Sequence, residues 1–373
     1  MPGLYIHIPF CAKKCPYCDF ASYDDVLYLA DDYIEACARE LQYYKDNFDI
    51  SFDTLFVGGG TPTILTEKQL DHLFSRVYSI VERKKLKEIT IEANPETVNE
   101  KNAKVLQANV NRVSLGCQSF HDDFLKKLDR IHDVEAIHKA FGLFRKHGIT
   151  NINLDLMYGL EGQSTLDVLH NIGEAANLKP DHISFYMLTV YGHTEFGKRA
   201  EAGLLDLPHD EVLEHMYLRG AEALEKAGYK QYEISNFSMP GKKCLHNLNY
   251  WKPGEYIGIG SAASSYFNGK RYTNVAKPAE YVKKLKKTDD PAETSELITA
   301  DMKLKEYIML RLRTVDGIDA VDFKRIFNYD FYGKYSNIID KLSEEGMAVL
   351  DNEGFRLTRK GFLLSNEIIG KFF

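Results

Sequence analysis

The sequence predicts an α/β protein: a partial parallel (β/α) barrel with a helical, winged-helix-like domain after it. The first observation is rhythm. From the start to about residue 235, apolar β-type runs alternate with helical patterns, and such alternation implies a parallel sheet with right-handed crossovers. The second is the lack of any dinucleotide fingerprint within these units, which favours a barrel over an open doubly wound sheet; the open sheet stays the alternative. The third is a change of pattern. After about residue 235 the alternation stops, and helical segments ending in a hairpin signal follow. The expected division is 1–235 for the barrel, 236–298 for an irregular extension and 299–373 for the C-terminal domain.

Strands are expected at Leu4–Ile8, Thr54–Val57, Glu88–Glu92, Arg112–Leu115, Asn151–Leu156, His182–Tyr186 and Tyr232–Ile234, each a short apolar run. Helices are expected between them at Tyr28–Lys45, Glu67–Val81, Asn99–Ala108, Val134–His147, Thr165–Asn177 and Asp210–Ala227. Thr66, Asn99 and Ser164 precede three of these and suit the N-cap, because a short polar side chain can accept an orphan helix N–H. The stretch 236–274 is rich in Gly, Asn, Ser and aromatics and reads as irregular with short strands. Helices are expected over Lys277–Pro291 (with a charged connector), Thr299–Arg313, Asp319–Phe327 and Tyr332–Glu345. Ala348–Asp351 and Phe355–Thr358 flank Asn352-Glu353-Gly354, a hairpin signal. A last helix is expected over Arg359–Ile369.

Composition narrows the class. The 373 residues are 44% hydrophobic and 27% charged, as in an ordinary soluble globular protein. No apolar run is long enough for a transmembrane helix, and the chain's direct run into a strand and a cysteine loop suggests no signal peptide. Peripheral membrane contact is left open. A net charge of −7 argues against a general nucleic-acid binder. The basic runs at 83–85 and 283–287 read as solvated helix ends, and the winged-helix-like domain as a lid or interaction module. Six cysteines, three of them clustered, do not form a disulfide framework, so a reducing cytoplasm is expected.

Unusual residues gather where the strands end. In a barrel that is the face where active sites sit. The first strand runs into Cys11-Ala12-Lys13-Lys14-Cys15-Pro16-Tyr17-Cys18. Three thiolates in one loop can hold a 4Fe–4S cluster and leave one iron with an open position. Free thiols, or a zinc site completed by a histidine such as His7, are the alternatives. The second strand ends in Gly58-Gly59-Gly60-Thr61-Pro62-Thr63, where missing Cβ atoms let backbone N–H groups approach a ligand. Later ends supply Glu92-Ala93-Asn94-Pro95, Gly116-Cys117-Gln118-Ser119-Phe120, then Arg130-Ile131-His132, and Asp155–Leu160. Successive ends carrying Glu, Gln, Arg and Asp would converge on one small polar ligand.

Together with Tyr5–Cys11 and Tyr256–Gly260, these segments make the chain resemble the radical S-adenosylmethionine (SAM) superfamily, and within it the anaerobic coproporphyrinogen III oxidase-like (HemN-like) group. The resemblance spans nearly the whole chain. It implies a radical SAM barrel with a 4Fe–4S cluster on Cys11, Cys15 and Cys18. It implies Tyr5 and Tyr17 beside the methionine and adenine parts of SAM, and Gly59, Gly60 and Thr61 at its amino group. Glu92, Gln118 and Asp155 would meet its amino or ribose groups. Arg130 would pair with its carboxylate, where a planar guanidinium matches two oxygens. Gly258–Ser264 would close over the adenine.

Departures point to a subfamily. The oxidase carries a further cysteine two residues after the third, where this chain has Phe20, and an N-terminal arm before the cluster that is not expected here. His246-Asn247-Leu248-Asn249-Tyr250-Trp251 instead resembles the H-N-x-x-Y-W motif of HemW-type haem chaperones. The resemblance implies that His246, Asn247, Tyr250 and Trp251 bind haem, that SAM and the cluster are further cofactors, and that haem passes to acceptor haemoproteins. A histidine can ligate haem iron and aromatics can cover a porphyrin face. A satisfied histidine beside a core aromatic pair is the competing reading. The functional alternatives are oxidative decarboxylation of coproporphyrinogen III, and a radical SAM enzyme of unknown substrate whose C-terminal domain binds a partner. No catalytic residue is assigned, and whether SAM is cleaved is left open.

Overall fold

The computed structural model describes residues 1–288 and 290–373. One 12-stranded sheet organises most of it. Its strands are β1 (Gly3–Ile8), β2 (Thr54–Gly59), β3 (Glu88–Ala93), β4 (Arg112–Gln118), β5 (Ile152–Tyr158), β6 (His182–Met187), β7 (Lys230–Gln231), β8 (Asn236–Ser238), β9 (Tyr256–Ile259), β10 (Ser264–Phe267), β11 (Lys270–Asn274) and β12 (Ala292–Leu297). Strands β1 to β6 pair in chain order and all in parallel. A doubly wound sheet would reverse its order at a switch point; this one does not, so it is the wall of a partial barrel. β9 adds in parallel outside β1, and β8 pairs antiparallel with β6.

Helices α1 (Ala30–Asn47), α2 (Glu67–Ile80), α3 (Glu100–Asn109), α4 (Asp122–Lys127), α5 (Val134–Lys146), α6 (Thr165–Asn177), α7 (Glu195–Glu201) and α8 (Asp210–Lys226) supply the crossovers. The N-cap expectations hold. Thr66 with Gln69, Asn99 with Asn102 and Ser164 with Asp167 each form a reciprocal capping box. Burial on α1 falls at Tyr33, Ile34, Cys37, Leu41 and Tyr44, the three- and four-residue spacing that lays one stripe on the sheet.

The seventh expected strand, Tyr232–Ile234, is not a strand. The chain turns back there: Tyr232 N–H donates to the Asn236 carbonyl at 3.1 Å. The buried Glu233 carboxylate ties the bend by accepting from Ser235 N–H at 3.0 Å and from the Asn236 side chain. Beyond it lie α9 (Leu245–Trp251) and α10 (Pro278–Leu285), and β9 to β12 continue the main sheet. The H-N-x-x-Y-W stretch is therefore helical, not a loop.

The C-terminal part holds α11 (Ala300–Arg311), α12 (Ala320–Phe327), α13 (Phe331–Glu344), the hairpin β13 (Ala348–Asp351) and β14 (Gly354–Leu357), then α14 (Arg359–Leu363) and α15 (Ser365–Gly370). The last expected helix breaks in two at Leu364, whose N–H closes a tight turn onto Gly361. Phe323 centres the local core, with Tyr307, Phe327, Tyr329 and Phe331 around it. The domain docks on the barrel through Ile234 N–H to the Arg313 carbonyl and through Arg359 paired with Glu225.

Candidate functional site

The cysteine loop is a closed structure on the barrel rim. Cys11 N–H donates to Tyr23 and Tyr23 N–H to Pro9, at 2.9 and 2.8 Å, so the loop returns beside its origin. Cys11, Cys15 and Cys18 face one cavity of about 140 Å³. Each sulfur has a polar neighbour: Thr61 Oγ1 donates to Cys11 Sγ at 3.6 Å, Arg130 Nη1 to Cys15 Sγ at 3.5 Å, and Ser22 Oγ lies 3.9 Å from Cys18 Sγ. Burial pushes the Cys11 and Cys18 thiols up, an effect that metal ligation reverses. Among the described residues, no three His, Cys, Asp or Glu side chains come together as a single metal ion requires. His7 is engaged elsewhere, with Nδ1 3.0 Å from Tyr5 Oη and Nε2 2.8 Å from the Ala21 carbonyl. The lone-zinc alternative completed by His7 does not fit. Three thiols with donors around one cavity suit the larger iron–sulfur cluster.

The strand ends build the rest of the cavity. Gly59 has φ +108°, and a Cβ on Gly60 would stand 2.6 Å from the Phe10 carbonyl. Only glycine lets this ledge run so close to the cysteine loop. Glu92 Oε2 accepts the Gly59 N–H at 2.9 Å. Burial, partly opposed by that bond, pushes its carboxyl up to about 7. Asp155, also raised by burial, accepts from Ser114 Oγ at 3.2 Å and Asn153 Nδ2 at 2.7 Å. Gln118 sits at a β-bulge with φ 65°. The bulge re-aims its side chain, whose Oε1 accepts from Tyr186 Oη at 2.6 Å. Arg130 is half-buried, its second nitrogen donating to the Gly116 carbonyl at 3.3 Å. Burial alone would lower its pKa; Tyr17, Cys15 and Glu96 around it raise it instead. A fixed cation, two half-buried carboxylates and a glycine ledge can hold a small zwitterion. Beside the cavity, Tyr17, Phe20, Met187 and Tyr191 line an apolar groove of about 230 Å³. Phe20 is 62% exposed there.

Cys11, Cys15, Cys18, Tyr17, Gly59, Gly60, Thr61, Glu92, Gln118, Arg130 and Asp155 are thus brought together. Tyr5 is shared: its ring lines a different cavity, while its hydroxyl comes within 3.0 Å of where a Cβ on Gly59 would stand. The turn after β9 is elsewhere: Gly260 N–H donates to Glu40 and Ser261 N–H to Tyr33, within the wall.

The H-N-x-x-Y-W helix lies at the far end of the barrel. The Glu88 carboxylate, at the start of β3, accepts Leu245 N–H and His246 N–H at 2.8 and 3.1 Å. His246 is 1% exposed. Its Nδ1 is 2.8 Å from Thr54 Oγ1 and its Nε2 2.8 Å from Tyr250 Oη. Burial lowers its pKa to about 3. In this arrangement both ring nitrogens are hydrogen-bonded and the ring packs under the starts of β1 to β3. Tyr250, in contrast, reaches a cavity wall; Asn247 and Trp251 are half-buried.

Sequence reasoning gave Asn94 no role and passed over Ser114, Asn153 and Ser184. Asn94 Nδ2 donates to Thr61 Oγ1 at 2.9 Å, and Asn153 Nδ2 to Ser114 and Ser184 hydroxyls at 2.6 and 3.0 Å. The signal was period two: Arg112, Ser114 and Gly116, then Asn153 and Asp155, then His182, Ser184 and Tyr186 all face inward. Alternate polar positions on parallel strands mark a polar barrel interior.

Known proteins share both halves of this architecture. The radical SAM superfamily model matches residues 5–173, and the HemN C-terminal domain model residues 298–364. The protein named Heme chaperone HemW of Bacillus subtilis (strain 168) is 35% identical, with 100% of this chain and 99% of that protein covered. Its namesake from Lactococcus lactis is 35% identical, with 99% and 96% covered. The one from Escherichia coli (strain K12) is also 35% identical, with 99% and 97% covered. Among solved structures, coproporphyrinogen III oxidase (HemN) from Escherichia coli superposes with a TM-score of 0.86 at 22% identity, covering 100% of this chain and 90% of that one. That likeness is one of fold.

Proposed function

Because the chain belongs to the HemW family of heme chaperones, on a radical SAM scaffold, we propose that it binds haem and hands it to acceptor haemoproteins in the cytoplasm. The observation that carries this is identity of 35% sustained over essentially the full length of relatives that bear that name. The resemblance at 246–251 and Phe20 in place of a further cysteine point the same way. No helix of the described residues is long and apolar enough to cross a membrane.

The rim cavity is the proposed cluster and SAM site. Cys11, Cys15 and Cys18 would be the thiolate ligands. A 4Fe–4S cluster held there supplies an iron with one open position. Arg130, already donating to Cys15, places its guanidinium where a ligand carboxylate would meet it. Gly59, Gly60 and Thr61 form the ledge for an amino group. Glu92, held near-neutral by burial, can lose its proton to face that cation. Asp155 and Gln118 are oriented by Ser114, Asn153 and Tyr186 and offer oxygens to ribose hydroxyls. Tyr17 forms an apolar wall, packed on Phe196.

The test is a pair of anaerobic experiments on cluster-reconstituted protein. Titration with haem is expected to give a stoichiometric complex with a Soret band. Incubation with coproporphyrinogen III, SAM and reductant is expected to give no protoporphyrinogen IX. Turnover without a haem complex would replace the chaperone reading by the decarboxylase one.

A further inference from the structure

A second cavity, of about 540 Å³, opens near the N-terminal end of the barrel strands and is used by nothing described above. Its floor is a row across three strands. Tyr256 of β9 pairs with Tyr266 of β10, and Tyr266 with Arg271 of β11. Directly opposed residues share one face of a sheet, so Tyr256, Tyr266 and Arg271 present their side chains on the same face. Tyr250 of the H-N-x-x-Y-W helix packs edge-on against Tyr256, 4.7 Å between centroids. The roof is α11. Lys303, Glu306 and Leu310 recur there at three- and four-residue spacing and face the cavity together. The result is a slot: aromatic floor, helical roof, and a polar edge of Arg271 with Glu306, and of Lys303.

The chemistry of the slot is selective. Its volume falls within the roughly 300–1,000 Å³ usual for cofactor sites. Arg271 is held by Glu306 at 2.7 Å and by Glu296 at 3.2 Å. Lys303 is exposed and has no ion-pair partner among the described residues. A ligand that fits is flat, largely apolar and anionic at one edge. Haem has that form: a planar macrocycle with two carboxylates on one side. Neighbouring structure supports the same place. Tyr250 is the member of the 246–251 motif that reaches the cavity, and His246 holds it from behind through the Nε2–Oη contact.

We propose that this slot between β9–β11 and α11 is the haem-binding site, with the ring over Tyr256 and Tyr266 and its carboxylates toward Lys303. The assignment rests on the haem-chaperone reading and adds the location. It puts haem toward the strand starts and the cluster at the rim, with Tyr5 between the two cavities. It makes His246 a positioning residue, and it gives α11 of the C-terminal domain a direct part in binding.

The experiment uses full-length, cluster-loaded protein titrated anaerobically with haem and read at the Soret band. Lys303→Glu reverses a surface charge and should leave folding intact. It is expected to weaken haem binding about tenfold, the change that 1.4 kcal/mol produces. Leu310→Trp fills the slot and is expected to abolish the stoichiometric complex. Both should keep the cluster absorbance and SAM binding, which belong to the other end. Phe20→Asp, in the groove beside the cluster, should bind haem as wild type does. If wild type binds haem and Lys303→Glu and Leu310→Trp bind it equally well, the slot is not the site, while the chaperone reading stands. Haem binding lost only in Phe20→Asp would move the site to the groove. If wild type forms no haem complex at all, the functional reading itself fails and this proposal with it.

Discussion

Replacing Glu92 by Gln isolates the electrostatics of the rim cavity in one atom. The Glu92 carboxyl is half-buried, accepts the Gly59 N–H at 2.9 Å and has the negative Asp155 nearby. Burial first, and Asp155 after it, push its pKa from 4.5 to about 7. The folded protein therefore keeps a proton that the unfolded chain releases between those values. Where the native state binds more protons than the unfolded state, stability falls as pH rises. The loss sets in above the unfolded value and is complete above the folded one. A tenfold difference in proton affinity between the two states is worth about 1.36 kcal/mol, so the full effect is about 3 kcal/mol. Gln keeps a carbonyl for the Gly59 N–H but cannot ionise. Urea unfolding of cluster-free wild type and Glu92→Gln at about pH 5 and about pH 8 measures it. The variant's stability relative to wild type is expected to rise by about 2.5 kcal/mol between those conditions, since part of the effect is already present at about pH 5. Glu40 and Glu233, also pushed to about 7 by burial, titrate in both proteins and cancel in the difference. An identical pH dependence in the two proteins would refute the reasoning.

Four further outcomes are expected. Cys15→Ala should not retain a full 4Fe–4S complement by iron counting and electron paramagnetic resonance; an unchanged signal, or zinc bound in preference, would remove the cluster assignment. Asp155→Ala should weaken SAM binding to the cluster-loaded protein by about 1–3 kcal/mol, the cost of an unpaired buried polar group. Calorimetry reads it, and unchanged affinity in both Asp155→Ala and Arg130→Ala would place the ligand elsewhere. Arg130→Lys should also weaken SAM binding, because an ammonium cannot reach both Cys15 Sγ and the Gly116 carbonyl as the guanidinium fork does. His246→Ala should destabilise the fold by about 1–3 kcal/mol, since it orphans Thr54 Oγ1 and Tyr250 Oη; a thermal midpoint equal to wild type would contradict this.

The rim site was legible because its residues break local rules. Gly59 and Gly60 stand where a side chain would collide, three cysteines crowd one loop, and polar residues end apolar runs. Each departure is visible without coordinates. The opposite end was harder. His246 looks the same in sequence whether it is a ligand or a hydrogen-bonded core residue, and only the starts of β2 and β3, far away in sequence, supply Thr54 and Glu88. Tyr5 lines the cavity at the strand starts while its hydroxyl reaches the Gly59 ledge, a span that sequence spacing does not show. β12 carries Glu293, Ser295 and Glu296 with no apolar alternation. It is exposed along most of its length and is a strand because β11 offers it a ladder. The failed strand at Tyr232–Ile234 is apolar enough, but the Glu233 bend overrides propensity.

The central claim is delivery of haem, not its synthesis, and transfer tests it most directly. Haem-loaded protein is mixed anaerobically with an apo-haemoprotein, and both Soret bands are followed in time. The donor band is predicted to fall as the acceptor band rises, with loading faster than from an equal concentration of haem held by serum albumin. Haem that stays on the donor, or acceptor loading no faster than from albumin, would contradict delivery.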